Sequence, residues 1–180
     1  MASCLISARL WLVGLDAAGA PQWRYDATMR VDQGMIAQIG AFEAVAYGND
    51  QLPRYGAPDA LALPIFAPLG AASLSARLGG ATGRLTPGSP AHVALFANGG
   101  PPPSRGALRA AAFGDAGGAA ILQAFVDGAL VIQAGALVAD ADLAPLAALR
   151  AALDQPESPE EAALWAAAAK LCVDMRNSHS

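Results

Sequence analysis

Val31-Asp32-Gln33-Gly34-Met35-Ile36 and Val126-Asp127-Gly128-Ala129-Leu130-Val131 decide the reading of this chain. In each, apolar residues flank a short loop that ends in glycine, which takes the positive φ of a tight hairpin turn without a Cβ penalty. Ile39-Gly40 closes the first pair of strands and Ala134-Gly135 the second. Two hairpins nearly a hundred residues apart therefore frame the fold, and the segments around them extend it.

Before the first hairpin, Leu5, Ile6, Leu10, Leu12 and Val13 make Cys4–Leu15 a strand that ends at the Asp16-Ala17-Ala18-Gly19 turn. Tyr25–Val31 and Met35–Ile39 form the hairpin itself, Ala41–Tyr47 a helical turn, and Asn49–Pro58 a loop punctuated by Pro53, Gly56 and Pro58. Ala60–Phe66 reads as a buried strand and Pro68–Leu78 as a helix stopped by Gly79-Gly80. Pro87-Gly88 occupies the central positions of a type II turn leading into strand Ala91–Phe96. After the stiff Pro101-Pro102-Pro103, Ala107–Ala120 is weakly helical, and Ile121–Val126 with Ala129–Gln133 forms the second hairpin. Leu143–Leu153 and Pro159–Met175 are helical. Ser158 caps the second of these, and Glu161 is placed to complete a capping box.

Composition bounds the class. Of 180 residues, 54% are hydrophobic but many are alanine, which favours helix and buries little surface, so the core falls to the Leu, Ile, Val, Phe and Trp clusters. The net charge of -4 and scattered basic residues exclude a nucleic-acid surface, which needs a basic stripe. Charged residues interrupt every apolar run before the roughly 18 residues that span a bilayer. Cys4 and Cys172 provide no disulfide framework and read as free thiols. Met1–Leu15 lacks the basic leader of a secretory signal, so a cytoplasmic location is expected.

Taken in order, the two hairpins, Ala57-Pro58-Asp59-Ala60-Leu61-Ala62-Leu63-Pro64-Ile65-Phe66, and Gly83-Arg84-Leu85-Thr86-Pro87-Gly88-Ser89-Pro90-Ala91-His92-Val93-Ala94-Leu95-Phe96 resemble the two ends of a metal-dependent amidohydrolase, such as a cytosine, guanine or triazine deaminase. The resemblance covers most of residues 3–138. It implies that both ends fold together as a small composite β-sandwich, while the family's metal lies in a TIM barrel between them. Here Pro64-Ile65-Phe66-Ala67-Pro68-Leu69-Gly70-Ala71-Ala72 replaces the family's Pro-Gly-Phe-x-x-x-His-x-His, and residues 68–80 resemble the last barrel helix. At about 200 residues or more, a TIM barrel would not fit in this chain.

Each candidate for chemistry has a structural reading that accounts for it. His92 and His179 are the two histidines, too few for the converging imidazoles of a hydrolytic metal site. Among the carboxylate candidates Asp32, Asp59, Asp115, Asp127, Asp140 and Asp142, Asp32 and Asp127 precede hairpin glycines and Asp140 and Asp142 precede a helix they can cap. Ser73, Ser75, Ser89 and Cys4 show no nucleophile elbow or base, and Gly79–Gly83 lacks the order of a phosphate loop. Trp11, Trp23 and Trp165 read as packing residues.

The expected architecture is thus mainly β with α. It has an amidohydrolase-type composite β-sandwich over residues 1–140, a C-terminal helical extension over 141–180, and no TIM barrel. No catalytic, cofactor-binding or metal residue is assigned, and no cofactor is expected. The functional expectation is a non-catalytic accessory or assembly subunit whose partner is a full-length amidohydrolase-like subunit or a second copy of itself. The alternative is one subunit of a split hydrolase of non-peptide carbon–nitrogen bonds, with metal and barrel supplied in trans. A face stripped of a barrel must be covered either by a partner or by the chain's own alanine-rich helices after Asp142.

Overall fold

The computed structural model describes residues 3–65, 84–98, 100–115, 120–138 and 143–177. The expected helix Pro68–Leu78 and the Gly79–Gly83 connection lie outside these residues, as do Ser73, Ser75, Asp140, Asp142 and His179. Among the described residues eight strands occur, β1 Cys4–Leu15, β2 Pro21–Asp32, β3 Met35–Gly40, β4 Arg54–Pro64, β5 Val93–Phe96, β6 Ile121–Val126, β7 Ala129–Gln133 and β8 Ala136–Leu137. The helices are α1 Phe42–Ala46, α2 Arg105–Phe113, α3 Leu143–Asp154 and α4 Pro159–Asn177. The fold is mainly β with α, and no TIM barrel occurs among the described residues.

All eight strands join one mixed sheet in the order β3-β2-β1-β4-β5-β6-β7-β8. Only β1 and β4 pair in parallel, and the other neighbours are antiparallel. The sheet is hydrogen-bonded from end to end, so the two halves expected of a sandwich are parts of one continuous surface. What brings the halves face to face is an apolar cluster that draws Ile6, Met29, Val31 and Ile36 from β1–β3 together with Val93, Leu95 and Phe125 from β5 and β6. We call this side inner.

The inner face is set by a change of parity in β1. Ile6 and Ala8 point inward, then Trp11 and Val13 do, so the facing set slips by one residue around exposed Arg9. Opposite it, Asp26 adopts φ 47° and the β1–β4 register shifts between Ala8 and Leu10. Such irregularities bend and twist a strand. The indole of Trp11 stabilises this one by donating to the carbonyls of Ala8 at 3.0 Å and Ala27 at 2.9 Å. Buried carbonyls freed from a ladder need such partners.

The outer face carries a second cluster, in which Leu10, Leu12, Leu61, Leu63 and Phe96 of the sheet pack with Leu108 of α2, Leu149 of α3 and Leu164 and Trp165 of α4. The chain's own helices therefore cover that face. Trp165 meets Phe96 edge to face, ring centroids 5.9 Å apart.

Strand β4 begins at Arg54, within the segment expected to be loop. The reason is Gly56. At φ 106° it passes so close to β1 that a Cβ there would lie 1.9 Å from the Ser7 carbonyl oxygen, and its N–H is held by the Gln123 side chain at 2.9 Å. Glycine and proline, read as loop punctuation, here permit an irregular strand. Strand β8 was not anticipated, because two residues carry no periodicity.

Candidate functional site

The two glycine hairpins meet. In the first turn Gln33 and Gly34 have φ of 49° and 83°, and in the second Asp127 and Gly128 have 48° and 70°. Positive φ at both central residues is the signature of the hairpin turn whose twist matches its strands. A Cβ on Gly34 would approach the Asp127 carbonyl oxygen to 2.7 Å, so the contact between the turns requires glycine at this position.

The segment Thr86–His92 stitches the turns together. Its type II turn places Gly88 at φ 88°, closed by the Ser89 N–H donating to Thr86 at 3.0 Å. Ile36 and this turn exchange two main-chain bonds, Ile36 N–H to Ser89 and Gly88 N–H to Ile36, both 2.8 Å. Ala91 then bridges both hairpins: its N–H donates to Gly34 at 2.9 Å and its carbonyl accepts from Gly128 at 3.1 Å.

His92 completes the junction. It is buried, at 3% relative exposure, and its Nδ1 accepts the Asp127 N–H at 3.1 Å. An imidazole that accepts at Nδ1 while neutral carries its proton on Nε2. That atom is buried, has no hydrogen-bond partner among the described residues, and lies 3.8 Å from Asp127 Oδ1. Burial pushes the His92 pKa below its ordinary value, and the Asp127 carboxylate opposes this more weakly. The ring is therefore a neutral acceptor that ties strand β5 to the second turn.

A second polar cluster secures the outer helices. Arg105 Nε donates to Glu161 Oε1 at 3.0 Å, and Arg105 Nη2 reaches the carbonyls of Ala152 at 3.0 Å and Gln155 at 2.7 Å. Arg109 Nη1 reaches the Leu153 carbonyl at 2.9 Å and Asp154 at 2.7 Å, and Arg150 Nε the Ala112 carbonyl at 2.8 Å. The arginines of α2 thus satisfy carbonyls at the end of α3, where positive charge also suits the helix dipole. Ser158 caps α4 as expected, its Oγ accepting from Glu161 N–H at 3.1 Å. The Glu161 carboxylate is directed to Arg105 and to Trp165 Nε1 at 3.3 Å instead of completing a capping box. Sequence separations of 38 to 56 residues hide the arginine pairs from local motif reading.

The remaining candidates do not converge. Asp32 Oδ1 accepts from the Ser3 hydroxyl at 2.9 Å, Ser89 shares a hydroxyl hydrogen bond with Thr86 at 3.0 Å, and Asp59 and Asp115 are exposed. No group of three or more His, Cys, Asp or Glu side chains is placed to hold a metal among the described residues. Cys4 and Cys172 are buried and do not form a disulfide, and burial raises the Cys4 thiol to about 11, which leaves it protonated and unreactive at neutral pH. Trp11 and Trp165 are buried packing residues. Trp23 is half-buried and lines an open hollow of about 280 Å³ with Arg24, Tyr25, Asp26 and Gly40. Among the described residues no helix is long and apolar enough to cross a membrane.

Comparison with known proteins gives partial likenesses. No family model matches the chain, and no curated protein matches it. Among solved structures, the aminofutalosine deaminase of Helicobacter pylori is similar over 36% of this chain and 15% of its own, with 18% identity and a TM-score of 0.30. The guanine deaminase of Bradyrhizobium japonicum is similar over 37% of this chain and 16% of its own, with 19% identity and a TM-score of 0.32. The chain thus spans about one sixth of the length of each deaminase.

Proposed function

We propose that this chain is a non-catalytic, amidohydrolase-like accessory or assembly subunit, with a β domain over residues 1–140 and a helical extension over 141–180. The observation that carries this reading is the use made of the segments that resemble the family. Both hairpins and the Pro87-Gly88 turn are engaged in main-chain bonds through the Thr86–His92 segment, and the His92 ring is committed to the Asp127 N–H. These residues form a framework, and their polar groups face one another across it.

The test begins with the chain purified from its native host, followed by mass spectrometry of whatever accompanies it, metal analysis, and assay against cytosine, guanine and triazine substrates. A stable complex with a larger amidohydrolase-like subunit, or a homodimer without turnover, supports the proposal. Stoichiometric zinc or iron with deaminase turnover by the isolated chain rejects it. If the chain is inactive but restores turnover to an inactive partner, the non-catalytic reading gives way to that of a split hydrolase subunit.

A further inference from the structure

Three loops distant in sequence meet beside His92, and one of them, the second turn, is tied to the Thr86–His92 segment by an imidazole that accepts only while neutral. We propose that His92 is an acid-sensitive latch: protonation at Nδ1 expels the Asp127 N–H and loosens the second hairpin from the Thr86–His92 segment. The geometry supplies the reason. Nδ1 accepts the Asp127 N–H at 3.1 Å, so a proton on Nδ1 would set two donors against each other. The imidazolium must turn or leave, and the Asp127 carboxylate, 3.8 Å from Nε2, is the nearby group that would receive it.

The surroundings allow little other response. From the second turn, Asp127 is the charged group that faces the ring. The first turn contributes Asp32, whose carboxylate accepts from Ser3, and Gly34, which has no side chain. The end of β4 at Pro64-Ile65 is uncharged and holds the His92 carbonyl through the Ile65 N–H at 3.0 Å. The Thr86–Pro90 turn has no ionisable group, Arg84 before it is exposed, and Cys4 of β1 stays a thiol. Among the described residues, Asp127 is the group placed to compensate the buried charge, while its own N–H opposes a proton on Nδ1.

Latch opening has a local readout that ordinary acid unfolding does not share. Amide hydrogen exchange, corrected for the intrinsic pH dependence, is compared at pH 7.5 and pH 5.0 for Asp127, Gly128 and Ala91 against Leu10–Leu12 of central β1. The expected result is roughly a tenfold or greater loss of protection at the junction with little change in β1. His92→Asn offers an acceptor oxygen near the Nδ1 position that does not titrate, and its junction should hold protection equally at both pH values. Should His92→Asn not fold, an NMR titration of wild-type His92 replaces it, with junction protection expected to fall along the same curve as the ring titrates. The proposal is overturned by junction amides equally protected at both pH values, by a His92→Asn junction that opens like wild type, or by loss of protection that does not follow the His92 titration.

Discussion

On the inner side of the sheet, loops are joined by main-chain hydrogen bonds and close glycine contacts, whereas on the outer side helices are held by large side chains and arginine clamps. The inner junction depends on backbone conformations that few residues can adopt, so it tolerates change in proportion to φ and to space. The outer layer depends on volume and on paired charge, so it tolerates change in proportion to what remains to fill the gap. Substitutions aimed at each side should therefore fail in different ways, and that difference is measurable.

The largest effect should come from the outer side. Trp165 is 8% exposed and packs on Phe96, so Trp165→Ala should cost about 3–5 kcal/mol in urea denaturation, the usual range for a buried aromatic truncated to alanine. Far-UV circular dichroism should show helix loss before sheet loss. A variant that loses less than about 1 kcal/mol would mean that α4 contributes little to the core. Next comes Gly56→Ala, which combines φ 106° with a Cβ 1.9 Å from the Ser7 oxygen. We expect a loss of about 3 kcal/mol or more, with β1 and β4 pushed apart.

These two sites also differ in how visible they were beforehand. The hairpin turns, the strand ends beside them and the capped start of α4 follow from local chemistry, because positive φ at glycine and a serine N-cap act within a few residues, whereas β2 starts at Pro21, four residues before the expected Tyr25. Trp165 was readable as a packing residue but not as the partner of Phe96. Gly56 reads as loop because a glycine between prolines gives the same local signal whether it breaks a strand or lets two strands approach. The Arg105–Glu161 pair joins residues 56 apart, and the meeting of Gly34 with Asp127 joins two turns nearly a hundred residues apart. Neither leaves a mark in any window of sequence, since the sheet order that creates them is a property of the whole chain.

A finer comparison isolates contact from conformation within the inner junction. Gly34 and Gly19 have nearly the same φ, 83° and 81°, yet a Cβ at Gly19 would meet nothing within 4 Å, whereas at Gly34 it would meet the Asp127 oxygen. Gly19→Ala should cost about 1 kcal/mol from backbone strain alone, and Gly34→Ala about 2–3 kcal/mol. The excess in thermal or urea unfolding measures the crowding between the turns. Equal losses would show that the junction relaxes at no cost and that the hairpins merely lie near each other.

The smallest effect tests the electrostatics of the junction. The His92 pKa in the fold lies below its unfolded value of about 6.5 because burial disfavours the charged ring, and Asp127 partly restores it. The stability contributed by the neutral ring is therefore complete above about pH 6.5 and is lost as the pH falls from there through the lower folded pKa. Asp127→Asn keeps a side chain that tolerates the positive φ of this turn and removes the one opposing charge. It should move the His92 titration, followed by NMR, further down, and extend the acid loss of stability to lower pH. An unchanged titration would show that the carboxylate at 3.8 Å is screened from the ring, leaving desolvation as the only influence on the imidazole.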